Sequence, residues 1–300
     1  LTARVFVNRM WQEFFGRGLV KTSGDFGMQG EMPSHPDLLD WLAVDFREHG
    51  WDMKRLIKQL VTSSTYKQSS ALSKDKLATD PDNILLARGP RTRLTAEGVR
   101  DLALASSGLM VKEIGGPSVK VYQPKGIWES STSGRGVLAR YVQDHGEKLY
   151  RRGLYSFIKR TVPPPGMLVF DGSNRDQCEV TRMRTNTPLQ ALVLLNEPLM
   201  LEASRVFAER LMVEKTTAEE KVKKAFQSIV CRQPKPEELT MLMRYFEEEK
   251  EGFKQSPDKA KSYVAAGEYS QEKIADVISL AALMQVVQTI YNLDEAITKT

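Results

Sequence analysis

The sequence predicts a mainly α protein, and three observations carry the prediction. Along its 300 residues, apolar side chains recur three and four positions apart in one segment after another, the spacing that lines one face of a helix. Helix-start signals precede most of these segments: Ser, Thr or Asp at the cap, an acid or amide three residues on, or Pro at the first helical position. Only residues 154–162 alternate in the manner of a strand. The expected architecture is a multi-helix, bundle-like domain with a small strand-and-loop insert around residues 114–187.

Residues 3–15 form the first expected helix, with Val5, Phe6, Met10, Phe14 and Trp11 on its buried side. Gly16 and Gly18 end it, and the glycines at 24, 27 and 30 read as turn chemistry, since no phosphate-loop lysine accompanies them. Ser34 with Asp37 has the form of a capping box. It opens a helix carrying Leu38, Leu39, Leu42 and Phe46. Asp52 caps the next helix, striped by Met53, Leu56, Ile57, Leu60 and Val61, and Trp41 and Trp51 are expected to weld the two together.

Residues 62–90 are polar and turn-rich, with room for one short helix. Thr95 caps a helix at 95–110 with Val99, Leu102, Ala103 and Leu109 inward and Gly108 at its stop. Residues 114–128 hold too much Gly and Pro for a helix and read as an ordered loop exposing an aromatic or two. Residues 130–136 are small and read as a mobile hinge. After the expected strand, Pro163, Pro164 and Pro165 stiffen the chain in extended form. Residues 167–170 then deliver Asp171 to a polar loop. Thr187, Pro188 and Gln190 mark a sharp helix start. The helix at 188–196 is apolar nearly all round and is therefore expected to be buried. A second helix follows at 199–212.

The last third is expected to be helical: a Thr217–Glu220 capping box with Val222, Ala225, Phe226 and Ile229, then residues 237–251 with Leu239, Leu242, Met243 and Phe246. A polar linker and a long core helix capped by Ser270 complete it. Residues 1–70, 71–200 and 201–300 form the N-terminal, central and C-terminal parts of one compact domain or of two tightly packed lobes.

Composition narrows the class. Hydrophobic residues at 41% and charged residues at 27% describe an ordinary globular protein. Gln285 and Gln288 interrupt the most apolar segment, so no membrane span is expected. The opening LTARVFVNRMWQEFF is amphipathic rather than a signal peptide, which points to the C-terminal portion of a longer protein. Cys178 and Cys231 match no CxxC, CxxCH or zinc spacing and read as unpaired thiols. His35 near Asp37 and Asp40 lacks the spacing of a metal site.

Net charge is +5, and most of the excess sits in one stretch. Residues 151–190 hold seven basic side chains (Arg151, Arg152, Lys159, Arg160, Arg175, Arg182, Arg184) against three acids (Asp171, Asp176, Glu179). Arginine forks next to a helix start match carboxylate, sulfate or phosphate. The candidate anion-binding residues are Arg160, Arg175, Arg182, Arg184, Asn186, Thr187 and Gln190. Asp171 and Asp176 are the candidate acid/base groups. The same charges could instead pair internally and hold the loop in place. No nucleophile–base–orienter pattern is visible. Nucleic acid is disfavoured, because no helix-turn-helix, zinc-finger or RNP signature is present.

Several long blocks carry a family resemblance: LTARVFVNRMWQEFFGRGLVKTSGDFGMQGEMPSHPDLLDWLA, WDMKRLIKQLVTSSTYKQS, GGPSVKVYQPKGIWE, the whole of residues 149–198, and YNLDEAITK. The sequence resembles the planctomycete-specific domain-one family, a domain of unknown function. The resemblance implies an extracytoplasmic bacterial protein in which this domain lies C-terminal to a second uncharacterised domain and a cytochrome c domain, with genes often near those of sulfatases. Any haem would then sit upstream, and no cofactor is expected in this chain. Asp171, Arg175, Arg182, Arg184, Asn186, Thr187 and Gln190 lie at family-type positions, with no established roles to carry over.

The functional expectation is a non-catalytic binding or assembly domain. Through its arginine loop it would engage upstream domains of its own polypeptide, another acidic partner or an anionic glycan. One alternative is an enzyme acting on sulfated or carboxylated polysaccharide, with Asp171 or Asp176 as acid/base. The other is a purely structural domain.

Overall fold

The computed structural model describes residues 1–131, 136, 139–173 and 175–299. It is mainly α, with a single two-stranded sheet among the described residues. The chain divides into two compact units, Leu1–Arg93 with Glu179–Thr181 and Thr298–Thr300, and Leu94–Cys178 with Arg182–Ile297.

The first unit contains α1 (Thr2–Phe15), α2 (Pro36–Glu48), α3 (Met53–Thr62), the short α4 (Lys74–Thr79), and strands β1 (Thr92–Arg93) and β2 (Thr298–Lys299). The strands pair antiparallel, Thr92 opposite Lys299 and Arg93 opposite Thr298. The α1 register differs from the expected one. Val7, Trp11 and Phe15 are buried, whereas Val5, Phe6, Met10 and Phe14 are only half-buried. The cause is polar: Asn8 also lies in the buried face and is fully enclosed. It accepts from the Val20 amide at 2.9 Å and donates to the Val20 carbonyl at 3.0 Å, so it holds the following loop as a strand neighbour would. Gly18 packs against it so closely that a Cβ there would lie 2.6 Å from the Asn8 amide nitrogen.

Two expected details of this unit do not form. Ser34 is not a cap, because its hydroxyl donates to the Leu19 carbonyl and α2 begins at Pro36. Trp41 does not weld helices and is 56% exposed. Trp51 does meet Phe46 edge-on, at 5.2 Å. Asp52 caps α3 through the Arg55 amide as expected.

The second unit opens with α5 (Ala96–Ser107), capped by Thr95 and stopped by Gly108 in the left-handed region. It continues through α6 (Ile127–Ser130), two short 3-10 turns at Gly146–Tyr150 and Gly153–Tyr155, and α7 (Pro165–Val169). Then come α8 (Pro188–Asn196), α9 (Pro198–Val213), α10 (Ala218–Val230), α11 (Pro236–Gln255), α12 (Pro257–Val264) and α13 (Val277–Tyr291). α13 is the central helix, with Leu280, Ala281, Met284, Val287 and Ile290 among its buried residues. α8, α9, α10, α11 and α12 all contact it.

The insert departs from expectation. Residues 154–162 form no strand, because the neighbouring segment offers only one parallel bridge, Val119 to Ser156. Pro165 starts a helix rather than extending the chain. Trp128 is buried against Tyr141 and Phe157 instead of exposed, and Tyr122 is half-buried. The hinge expected at 130–136 falls mostly outside the described residues. The linker after α11 contains α12, and Asp276 rather than Ser270 caps α13 through the Ser279 amide.

The largest correction concerns α8. Its sequence is apolar nearly all round, yet only Gln190 and Leu194 are buried. Leu189 is 60% exposed, Leu192 54% and Leu195 36%.

Arg232 ties the end of α10 to later elements. It donates to Glu238 at 2.7 Å through both terminal nitrogens and to Glu295 at 2.6 and 2.8 Å. The guanidinium holds the Glu238 carboxyl down to about 2, from an ordinary 4.5. That stabilisation is complete above the ordinary value and is lost as pH falls through the folded one. Arg232→Gln should therefore lose stability near neutral pH and show a shallower further loss on acidification. Urea midpoints at pH 7 and pH 3, beside the parent chain, check this.

Candidate functional site

The arginine-rich segment is divided between structural and exposed roles. Arg151 is 5% exposed and donates to the carbonyls of Pro117, Glu113 and Gly115 while stacking on Tyr155 at 3.8 Å. Arg152 pairs with Asp101 at 2.8 Å, on α5. Arg182 pairs with Glu97 at 2.7 Å, in the first turn of α5. Burial opposes ionisation of Glu97, but the Arg182 fork, a backbone amide and the Thr95 hydroxyl hold its carboxyl below the usual range. Lys159 lies over the Trp128 ring at 4.5 Å.

Three of the expected arginines remain outward. Arg160, Arg175 and Arg184 are exposed and make no ion pair among the described residues. Arg175 has φ +61°, in the left-handed region, and its amide donates to the Ser173 hydroxyl at 3.2 Å. Asn186 and Asp176 are exposed.

Asp171, Thr185 and Gln190 do come together, ahead of α8. Asp171 follows α7 at φ +56° and accepts from the Thr185 amide at 2.6 Å and from its hydroxyl at 2.9 Å. Gln190 donates to the carbonyls of Val169 at 3.0 Å and Thr185 at 3.1 Å. Gln190 thus ties α7 to the loop instead of closing a capping box. Thr187 is the N-cap residue with no side-chain cap bond, and Pro188 holds the first turn. This network fixes where α8 leaves the loop and sets Met183 and Arg184 just ahead of it. Met183 is 76% exposed.

Sequence reasoning missed a second feature of this unit, a cavity of about 30 Å³ lined by Arg100, Glu197, Val121, Gly166, Phe170 and Met200, among others. Glu197 is the elbow residue, C-cap of α8 and N-cap of α9. It is partly exposed as a whole residue, yet burial of its carboxyl raises its proton affinity, an effect that Arg100 opposes. Arg100 is 7% exposed and donates to the carbonyls of Leu149 and Arg151. The available signal was a charged residue within an apolar stripe: Arg100 stands four residues after Ala96 and four before Leu104.

Among the described residues, no group of three or more His, Cys, Asp or Glu is placed to hold a metal ion. Cys178 and Cys231 are both exposed and free. No helix among the described residues is long and apolar enough to cross a membrane.

No curated protein and no solved structure matches the chain significantly. A family model does, over residues 1–246. The blocks that carry the resemblance in sequence and the arginine segment just described lie largely within that match, and the chain belongs to the PSD1 family of proteins of unknown function (DUF1553).

Proposed function

We propose that the chain is a non-catalytic binding and assembly domain, docking an acidic protein surface on α8 and the arginine segment that leads into it. The observation that carries this reading is the exposure of α8. A helix apolar on nearly every side is normally covered. Here Leu189, Leu192 and Leu195, spaced three apart on one face, are open to solvent. Contiguous apolar surface rimmed by charge is the usual mark of a protein interface. Methionine and arginine are enriched at such interfaces, and Met183 and Arg184 stand at the entrance to this helix. The positive N-terminal end of α8 adds to the preference for acidic partners.

Exposed leucines favour a protein over an anionic glycan, whose hydroxyls gain little from aliphatic contact. The engagement of Asp171 by Thr185 favours a positioning role over acid/base chemistry. In this proposal the partner is an upstream domain of the same polypeptide, in an extracytoplasmic, cytochrome-linked bacterial protein.

Leu192→Asp and Arg184→Glu should each weaken docking at least tenfold, on the scale of interface anchors. Both positions are exposed, so stability should change by no more than about 0.5 kcal/mol. The check is a photo-crosslinker at position 192 in the full natural protein, with crosslinked peptides identified by mass spectrometry. An acidic peptide from another domain is expected. Sulfated oligosaccharides that raise the melting temperature of the domain, with the rise lost in Arg184→Ala, would replace this reading with glycan binding.

A further inference from the structure

We propose that the cavity between α5 and the α8–α9 elbow is a binding site for one hydroxyl oxygen, of water or of a small alcohol, held between Arg100 and Glu197. Three facts about these side chains define the site. The Nε and Nη2 groups of Arg100 donate to backbone carbonyls, and its Nη1 makes no hydrogen bond among the described residues. The Glu197 carboxylate likewise accepts none among the described residues. Both line the same cavity, yet they form no ion pair within 4.0 Å.

A donor therefore sits on one wall and an acceptor on another. An O–H group satisfies both, accepting from the guanidinium and donating to the carboxylate. A cation would meet the guanidinium, an anion would meet the carboxylate, and an apolar guest would leave both groups without a partner. Size agrees with this assignment. A volume of about 30 Å³ exceeds the roughly 10–15 Å³ that one water requires, so one hydroxyl group fits. The remaining walls, including Val99, Val121, Phe170 and Met200, are apolar. Gly166 gives the carboxylate room, since a Cβ there would lie 3.0 Å from Glu197 Oε1.

The site has a mechanical meaning. Arg100 belongs to α5 and Glu197 to the elbow between α8 and α9, so a shared oxygen would join two elements with no direct polar link at this point. It would also keep a carboxylate that burial pushes toward protonation in contact with an exchangeable proton source.

A high-resolution crystal structure of the chain tests the proposal. An oxygen within hydrogen-bonding distance of both Arg100 Nη1 and the Glu197 carboxylate is expected. Crystals soaked in ethylene glycol separate the two sources: a glycol hydroxyl at that position identifies an alcohol site, and an unchanged water identifies a water site. A direct Arg100–Glu197 ion pair, or no bound oxygen, overturns the proposal. The carboxyl carbon shift of Glu197, followed by NMR against pH, gives an independent reading in solution. Titration above the ordinary glutamate range is expected for a carboxyl separated from Arg100, and titration below it would reveal the direct pair. Glu197→Gln, which keeps an acceptor, should retain the bound oxygen, and Glu197→Leu should expel it.

Discussion

Replacing Glu202 by leucine should lower the stability of the chain by roughly 3 kcal/mol, the order expected when one buried and several half-buried donors lose a shared carboxylate together. Glu202 lies on α9 and is fully buried. Its carboxylate accepts from the Tyr150 hydroxyl at 3.0 Å, the Tyr122 hydroxyl at 3.1 Å, and the backbone amides of Glu268 and Tyr269 at 2.6 and 2.7 Å. One side chain thus anchors the insert, through the two tyrosines, and the loop ahead of α13. Gly267 in that loop has φ +84° and packs against the carboxylate, so the loop has no slack to find other partners. Leucine matches the size but removes the acceptor all four share, leaving the Glu268 amide only the Tyr122 hydroxyl at 3.1 Å. Urea unfolding measures the loss, and a change below about 1 kcal/mol would show that the donors find solvent instead.

Arg205→Met should be comparably damaging, at about 3–5 kcal/mol, the usual cost of removing one member of a buried ion pair. Arg205 is fully buried, one helical turn after the neighbouring Glu202 network. It pairs with Glu209 at 2.7 Å and donates to the carbonyls of Ala266 at 2.9 Å and Tyr269 at 2.7 Å. Burial already raises the proton affinity of Glu209, with Arg205 opposing it. Without the arginine, Glu209 should take up a proton, and the variant should regain part of its stability as pH falls. The double variant Arg205→Met/Glu209→Leu removes the orphaned acid and should recover a substantial part of the loss. Because Glu202 and Arg205 hold the same loop, their variants should not add, and a double-mutant cycle measures the coupling.

These two residues also show where sequence reasoning stops. The helices were legible because periodic apolar residues and caps are local signals: Thr95, Asp52 and the Thr217–Glu220 box all act as expected. The partners of Glu202, and the two carbonyls that Arg205 reaches beyond its helix neighbour Glu209, lie more than fifty residues away in segments without periodicity. Arg151 was counted as surplus charge for an anion, but its acceptors are backbone carbonyls, which carry no sequence signature. Residues 154–162 had a strand pattern and no strand partner. For α8 the apolar run located the helix correctly, but composition could not say whether its cover lies within the chain. At the candidate site, Asp171, Arg182 and Gln190 were picked out by residue type. Their actual contacts, with Thr185, Glu97 and the Val169 carbonyl, depend on the fold.

The pairing of β1 with β2 bears on how the chain is made. The first unit needs residues 298 and 299, which hydrogen-bond to residues 92 and 93 and set Lys299 over Phe14 and Tyr66 at 5.2 and 4.9 Å. On a ribosome, its helices emerge some two hundred residues before that closing strand, a wait of about 10–40 s at ~5–20 residues per second. During that interval the nascent first unit holds its aromatic cluster without the lysine that finally covers it. Chaperone occupancy on stalled ribosomes should therefore persist on this segment until the strand at 298 has cleared the exit tunnel.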